Sequence, residues 1–187
     1  MSEIVSEAKK ALRAKVQANR SLLLAEQTKD QFGKLLLDLA VSEGYRHIGC
    51  YLSFGSEPAT DSFIALAKAQ GLEIACPRIE SDGQMVMASF LDTTVPSELG
   101  FRQPTGEVIQ PKDLDSVVVP ALAIDYEGKR LGRGAGYFDR YLQHYQGSVV
   151  GVVYDNEFIQ KVPSLPHDQP VSVVVTQSQT ISIPFER

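Results

Sequence analysis

Three stretches of this chain are valine with scarcely a break: Ser116-Val117-Val118-Val119, Ser148-Val149-Val150-Gly151-Val152-Val153 and Val171-Ser172-Val173-Val174-Val175. A strand wetted on one face alternates apolar with polar side chains, whereas an unalternated run has both faces covered. Strands of that kind belong to sheets with helices on either side, and helical stretches surround them here. Phe32, Leu35, Leu36, Leu39 and Ala40 recur at helical intervals in a helix expected over about 25–43 and stopped by Gly44. His47–Leu52 reads as a short buried strand, Thr60 or Asp61 as the cap of a helix to about Gln70, and Leu72–Cys76 as a strand broken by Pro77. Strand, helix and strand at this spacing make a βαβ unit with parallel pairing. Met85–Phe90 is expected to fold back as a hairpin through the Asp82-Gly83 turn. Residues 91–115, rich in Pro and Gly, read as a long surface excursion. A further helix begins near Gly134 and presents Phe138, Tyr141, Leu142 and Tyr145 at helical spacing. The expected fold is an α/β three-layer sandwich with a mostly parallel central sheet, one domain over 1–187.

Composition narrows the partners. A net charge of −5 argues against nucleic acid as the main partner, so an anion site has to be local, built against the overall field. The polar N-terminus is no signal peptide, and no apolar run approaches the roughly 20 residues of a membrane span. Cys50 and Cys76 are too few for a disulfide framework and read as buried free thiols in a reducing compartment. A cytoplasmic protein that does not engage a membrane is the expectation.

Chemistry concentrates after the first valine run, in Arg130-Leu131-Gly132-Arg133-Gly134-Ala135-Gly136-Tyr137-Phe138-Asp139. Alternate glycines strip side chains from a loop, so that its N–H groups can close on an anion, and the arginines carry forks that match phosphate oxygens. The spacing is GxGxG, neither the dinucleotide fingerprint nor the phosphate loop of the nucleotide triphosphatases. A tight strand-to-helix turn competes with it, but two arginines and an aspartate are poor choices for a purely structural turn. Asp139 has two readings, a metal ligand riding on phosphates or a first-turn carboxylate near the positive end of a helix. Asp168, between prolines before a buried strand, is either its partner or a turn residue. Glu57 is either a carboxylate for the amino and amide groups of a heterocycle or a solvated loop residue. Tyr137 either stacks on a ring or packs in the core. Residues 2–19 form a helix with a basic face that includes Lys9 and Arg13, one turn apart, and a solvated cationic face is its simplest reading. His47, His144 and His167 show no metal-ligand spacing. Ligands of such sheets sit beyond the carboxyl ends of the strands, where the 53–58 and 120–139 loops are expected to meet.

The glycine loop resembles the RLGRGxGYYD signature of the 5-formyltetrahydrofolate cyclo-ligase family, also called methenyltetrahydrofolate synthetases. The resemblance extends over nearly the whole chain: Lys9 and Arg13, Leu52-Ser53 with Glu57 and Thr60, Cys76-Pro77-Arg78, Gly100–Pro104, Val119–Asp125, Pro166-His167-Asp168 and Val174-Val175-Thr176. It implies a Rossmann-like fold similar to the sugar-phosphate isomerase and CoA-transferase type. It also implies a monomer that uses ATP and Mg²⁺ to convert 5-formyltetrahydrofolate, with or without a polyglutamate tail, to 5,10-methenyltetrahydrofolate. Lys9, Arg13 and Arg130–Phe138 match the nucleotide contacts. Leu52, Glu57 and Arg133–Tyr137 match the folate contacts, Asp139 and Asp168 the magnesium ligands, with Arg133 and Tyr137 catalytic. Three departures stand out: Phe138 in place of a second tyrosine, Ala135 in place of glycine or lysine, and Ser172 in place of an aspartate, which bears on the metal's outer shell. A sugar-phosphate-binding α/β protein and a non-catalytic folate-binding relative are the alternatives.

Overall fold

A computed structural model describes residues 2–23, 31–97, 100–166 and 168–184. Helices α1 (Ser2–Leu23) and α2 (Gln31–Ser42) lead to strand β1 (His47–Cys50), helix α3 (Asp61–Ala69) and strand β2 (Glu73–Ile79). Then come β3 (Met85–Ser89), β4 (Thr94–Pro96), β5 (Arg102–Pro104), β6 (Val108–Ile109) and β7 (Ser116–Pro120). The hairpin of β8 (Ala123–Asp125) and β9 (Arg130–Leu131) precedes α4 (Tyr137–Leu142), and the chain closes with β10 (Ser148–Val152), β11 (Phe158–Ile159), β12 (Val173–Val175) and β13 (Thr180–Ser182).

The three valine runs are neighbours. They form β7, β10 and β12 in an eight-stranded sheet of order β13-β12-β10-β7-β1-β2-β3-β6. The five strands from β12 to β2 pair in parallel, and antiparallel strands are confined to the flanks. Both faces of the valine strands are dry, as their lack of alternation requires. Val118, Val150, Val152, Val173 and Val175 pack on one side with Phe32, Leu36 and Ala40 of α2 and Phe63, Ile64 and Ala67 of α3. Val117, Val119 and Val174 pack on the other with Tyr141 and Leu142 of α4 and with Tyr145. Each such valine contributes roughly 1.5–3 kcal/mol relative to an exposed one.

The first helix belongs to neither face. Val16 and Leu12 of α1 pack with Leu122, Ala123, Leu131, Val162 and Ile159, on the small sheet β11-β8-β9 that follows β7. The basic side of α1 is therefore its docked side: Lys9 and Arg20 are buried. Arg20, the largest of the fully buried side chains, donates Nε to Oε1 of Glu157 (2.6 Å) and Nη2 to Oε2 (2.7 Å) and to the Ala121 carbonyl (2.7 Å), with the Tyr154 ring 5.2 Å away. The solvated-face reading of Lys9 fails because the helix is held by buried ion pairs as well as by an apolar stripe.

Several boundaries move for local reasons. Strand β2 runs through Pro77: β1 accompanies it only as far as Ala75, so beyond that point the missing N–H interrupts no parallel ladder. Thr60 is the N-cap residue of α3 but makes no side-chain cap bond, because its hydroxyl is committed to the Tyr51 carbonyl at 2.7 Å. The 91–115 segment is a β4–β5 hairpin followed by edge strand β6, with Gln103 buried and bonded to the Ile79 N–H, so it is built structure and no mere excursion. The turn after Asp125 is organised by that buried carboxylate, which accepts the N–H groups of Glu127, Lys129 and, across the small sheet, Val162. The helix after the glycine loop starts at Tyr137, three residues later than Gly134, because Gly134 (φ +111°) and Gly136 (φ +72°) are both outside helical geometry. Of the expected 25–43 helix, residues 25–30 lie outside the described part of the chain.

Candidate active site at the switch in strand order

Read along its five parallel strands, the sheet runs β2-β1-β7-β10-β12, so the chain leaves β1 in one direction and β7 in the other. At that reversal the segments beyond the carboxyl ends diverge and leave a crevice. A cavity of about 640 Å³ opens there, within the roughly 300–1,000 Å³ usual for small-ligand sites. Tyr51, Leu52, Phe54 and Glu57 reach it from beyond β1, and Pro120, the last residue of β7, with Ala121 and Leu122 just past it, from the neighbouring strand. Pro77 and Ile79 of β2, Met85 of β3 and Phe101 add an apolar wall, and Ser6, Lys9 and Arg13 of α1 close it opposite the glycine loop.

The loop residues Arg130–Asp139 all border the cavity, held by a network of cations. Arg130 is 4% exposed; its Nη1 donates to the Pro120 carbonyl (3.1 Å) and its Nη2 to Asp139 Oδ1 (2.6 Å), which ties the loop to the end of β7. Arg13 donates Nε to the Gly132 carbonyl (2.9 Å) and lies so close to Gly134 that an added Cβ would sit 3.5 Å from the guanidinium carbon. Arg140 donates to the Ala135 carbonyl (3.1 Å) and lies over the Tyr137 ring. Arg133 donates Nε to Glu57 Oε1 (2.8 Å) and Nη2 to the Phe54 carbonyl (3.1 Å), bridging the two loops. Lys9 holds Asp168 through both carboxylate oxygens, at 2.7 and 2.5 Å, and Oδ2 also accepts the Leu165 N–H. Burial pushes the Tyr51 phenol well up, with the Glu57 charge adding to it, so it stays protonated and donates to the Pro58 carbonyl at 2.7 Å. A crevice with cationic loops on one side and apolar side chains on the other suits a polyphosphate joined to, or lying beside, a flat heterocycle.

The carboxylates differ in what they can offer a cation. Asp139 is bonded to Arg130 through Oδ1 and is 24% exposed at the cavity edge, so it has an oxygen to offer a Mg²⁺ that takes its other ligands from phosphates and water. Asp168 has Lys9 on both oxygens and is 8% exposed. Among the described residues no three His, Cys, Asp or Glu side chains converge as a preformed metal cage. Of the two carboxylates, Asp139 is the more open to the cavity and Asp168 is closed by Lys9.

The sequence model of the 5-formyltetrahydrofolate cyclo-ligase family matches residues 5–177 of this chain. The chain belongs to that family. It is 31% identical over 147 residues to the 5-formyltetrahydrofolate cyclo-ligase of Mycolicibacterium smegmatis, covering 73% of this chain and 76% of that one. With the Escherichia coli K12 cyclo-ligase it shares 30% over 142 residues, 71% and 78% of the two chains. In three dimensions it is similar to the 5,10-methenyltetrahydrofolate synthetase of Aquifex aeolicus, with a TM-score of 0.82 and 27% identity over 96% of this chain and 94% of that one. The Mycoplasma pneumoniae synthetase, at 20% identity and a TM-score of 0.71, shares the fold.

Lys9, Arg13, Leu52, Glu57, the 130–138 loop, Asp139 and Asp168 all border the same cavity, although 159 positions separate Lys9 from Asp168. Ser172 does not. Its hydroxyl lies between the sheet strands, bonded to the Val149 N–H and carbonyl and to Ser148, so it belongs to the sheet and not to a metal's outer shell. His144 is exposed, and His167 is outside the described residues. Sequence reasoning missed the apolar wall of Ile79, Met85 and Phe101 and the Arg20–Glu157 anchor. An isolated arginine in a basic helix and an isolated glutamate in a loop carry no local sign that they will meet.

Proposed function

We propose that this chain closes 5-formyltetrahydrofolate to 5,10-methenyltetrahydrofolate with ATP, releasing ADP and phosphate, in the cavity at the β1/β7 reversal. The observation that carries the reading is the joining, in one cavity, of a cation-lined glycine loop with an apolar wall and the carboxylate of Glu57.

The chemistry follows from the leaving group. The formyl oxygen departs poorly from carbon, so it first attacks the γ-phosphorus, forming an O–P bond as the bond to ADP breaks. N10 then adds to the formyl carbon, its proton is lost, and the oxygen leaves with the phosphate. Such a transfer asks the protein mainly for positioning and charge neutralisation. Arg133 and Tyr137, at the meeting of the two loops, face the transferring group. Lys9 and Arg13 draw the nucleotide phosphates toward α1, and Leu52 and Glu57 seat the pterin. Arg130, its fork engaged by Pro120 and Asp139, acts chiefly by shaping the loop. Mg²⁺, when bound, would neutralise phosphate charge; Asp139 would hold it, and Asp168 could contribute only if Lys9 released it. Ala135 and Phe138 leave the loop without a lysine or a second phenol for the phosphates.

A single-domain monomer is taken as the working unit of this proposal. Buried free Cys50 and Cys76 support a reducing, cytoplasmic setting. The test is incubation with 5-formyltetrahydrofolate and MgATP while methenyl product absorbance and ADP are followed together. Absence of product rejects the activity, and product without ATP rejects the phosphorylation step.

A further inference from the structure

Three of the cations around the cavity are held by carboxylates: Lys9 by Asp168, Arg130 by Asp139, and Arg133 by Glu57. The first two are shut away, with Lys9 9% and Arg130 3% exposed. Arg133 is different, because its side chain is 40% exposed while Glu57 beneath it is 9% exposed. A ligand entering the cavity can therefore reach this pair more readily than the other two.

Both oxygens of Glu57 are in use. Oε2 accepts the Phe54 N–H at 3.0 Å and so holds its own loop together, while Oε1 accepts Arg133 Nε at 2.8 Å. A heterocycle that presents amino and amide N–H groups to this carboxylate competes with Arg133 for Oε1, since Oε2 is engaged by its own loop. The guanidinium belongs to a residue flanked by Gly132 and Gly134, whose bare backbone gives the loop beside it no side chains of its own. Its Phe54 contact is a single 3.1 Å bond to a carbonyl, with the ring 5.8 Å away, and holds it weakly once Glu57 is occupied.

We propose that Glu57 is a positioning residue for Arg133 as well as a folate contact: it holds the arginine away from the nucleotide until the pterin displaces it, so that folate and ATP bind with positive coupling. The idea rests on the folate and ATP reading above. Because coupling between two sites is reciprocal, it can be read from the nucleotide side alone.

The experiment measures by calorimetry the Kd of a non-hydrolysable ATP analogue with Mg²⁺, for the wild-type chain and for Glu57→Gln, each with and without saturating 5-formyltetrahydrofolate. A partly exposed pair of this kind implies that folate tightens analogue binding to the wild type by roughly five-fold. Glu57→Gln without folate should already show that tighter value, and Glu57→Gln/Arg133→Ala should lose it. A Glu57 that merely contacts folate or stabilises its loop leaves the analogue Kd of the variant, in the absence of folate, equal to the wild-type value, and that result overturns the proposal. Equal wild-type affinity with and without folate overturns it too. Failure of the parent reading looks different: the wild type then forms no methenyl product from 5-formyltetrahydrofolate and MgATP. Circular dichroism confirms that each variant is folded.

Discussion

Glu157→Ala is the sharpest probe of how this fold keeps its first helix in place. Arg20 and Glu157 are 1% and 4% exposed, paired through two short bonds, and Glu157 Oε2 also accepts the Tyr154 N–H at 3.1 Å. Truncating the glutamate leaves a guanidinium in a dry site with one carbonyl partner, Ala121, and Nη1 already lacks a hydrogen-bond partner. Removing one member of a buried pair costs about 3–5 kcal/mol, a large share of the roughly 5–15 kcal/mol by which a domain is stable. At about 2–4 °C per kcal/mol for a chain of this size, the melting temperature should fall by roughly 6–20 °C. Urea unfolding followed by circular dichroism gives the free energy directly, and an unchanged m-value keeps the comparison within a two-state frame. The double variant Arg20→Met/Glu157→Leu is the control: with no charge left to bury, it should recover most of the loss. A Glu157→Ala loss below about 1 kcal/mol, or a double variant no better than the single, refutes the argument from buried charge.

Other expectations follow from the same geometry. Asp139→Asn, which keeps an oxygen acceptor for buried Arg130, should lower turnover by orders of magnitude with little change in melting temperature, and near-normal turnover at saturating Mg²⁺ removes Asp139 as a metal ligand. Gly128→Ala should cost more than about 2 kcal/mol, since Gly128 has φ +78° and a Cβ there would lie 2.4 Å from the Val171 carbonyl oxygen; a thermal melt within 2 °C of wild type contradicts this. Burial raises the thiols of Cys50 and Cys76 well above their ordinary values. The folded state therefore keeps those protons where the unfolded chain loses them, so this contribution to stability is full below about pH 8 and declines as pH rises further. Neither thiol should react with a thiol-specific disulfide reagent at pH 8 in the native protein, and both should react in denaturant. Rapid native labelling contradicts the burial.

What could be read from the sequence was whatever the physics makes local. Valine runs without alternation demand cover on both faces, and β7, β10 and β12 have it. The glycine loop announces its chemistry because the need for bare backbone and guanidinium forks is written within ten consecutive residues. Glu57 and Lys9 were ambiguous as isolated residues and gained meaning only through resemblance, since a carboxylate in a loop and a lysine on a helix look alike whether solvated or buried.

The tertiary structure decided the rest, for reasons that no window of sequence contains. The reversal of strand order between β1 and β7 makes the crevice, and it depends on which way each crossover turns. Burial of Lys9 against Asp168 and of Arg20 against Glu157 depends on where α1 docks, a contact across more than a hundred residues. Ser172, which stands where the family commonly has an aspartate, is drawn into the sheet by the register of β10 and β12. The loop's sequence supplied bare backbone and guanidinium forks within ten residues; the long-range packing determined that Arg133 meets Glu57 across two loops.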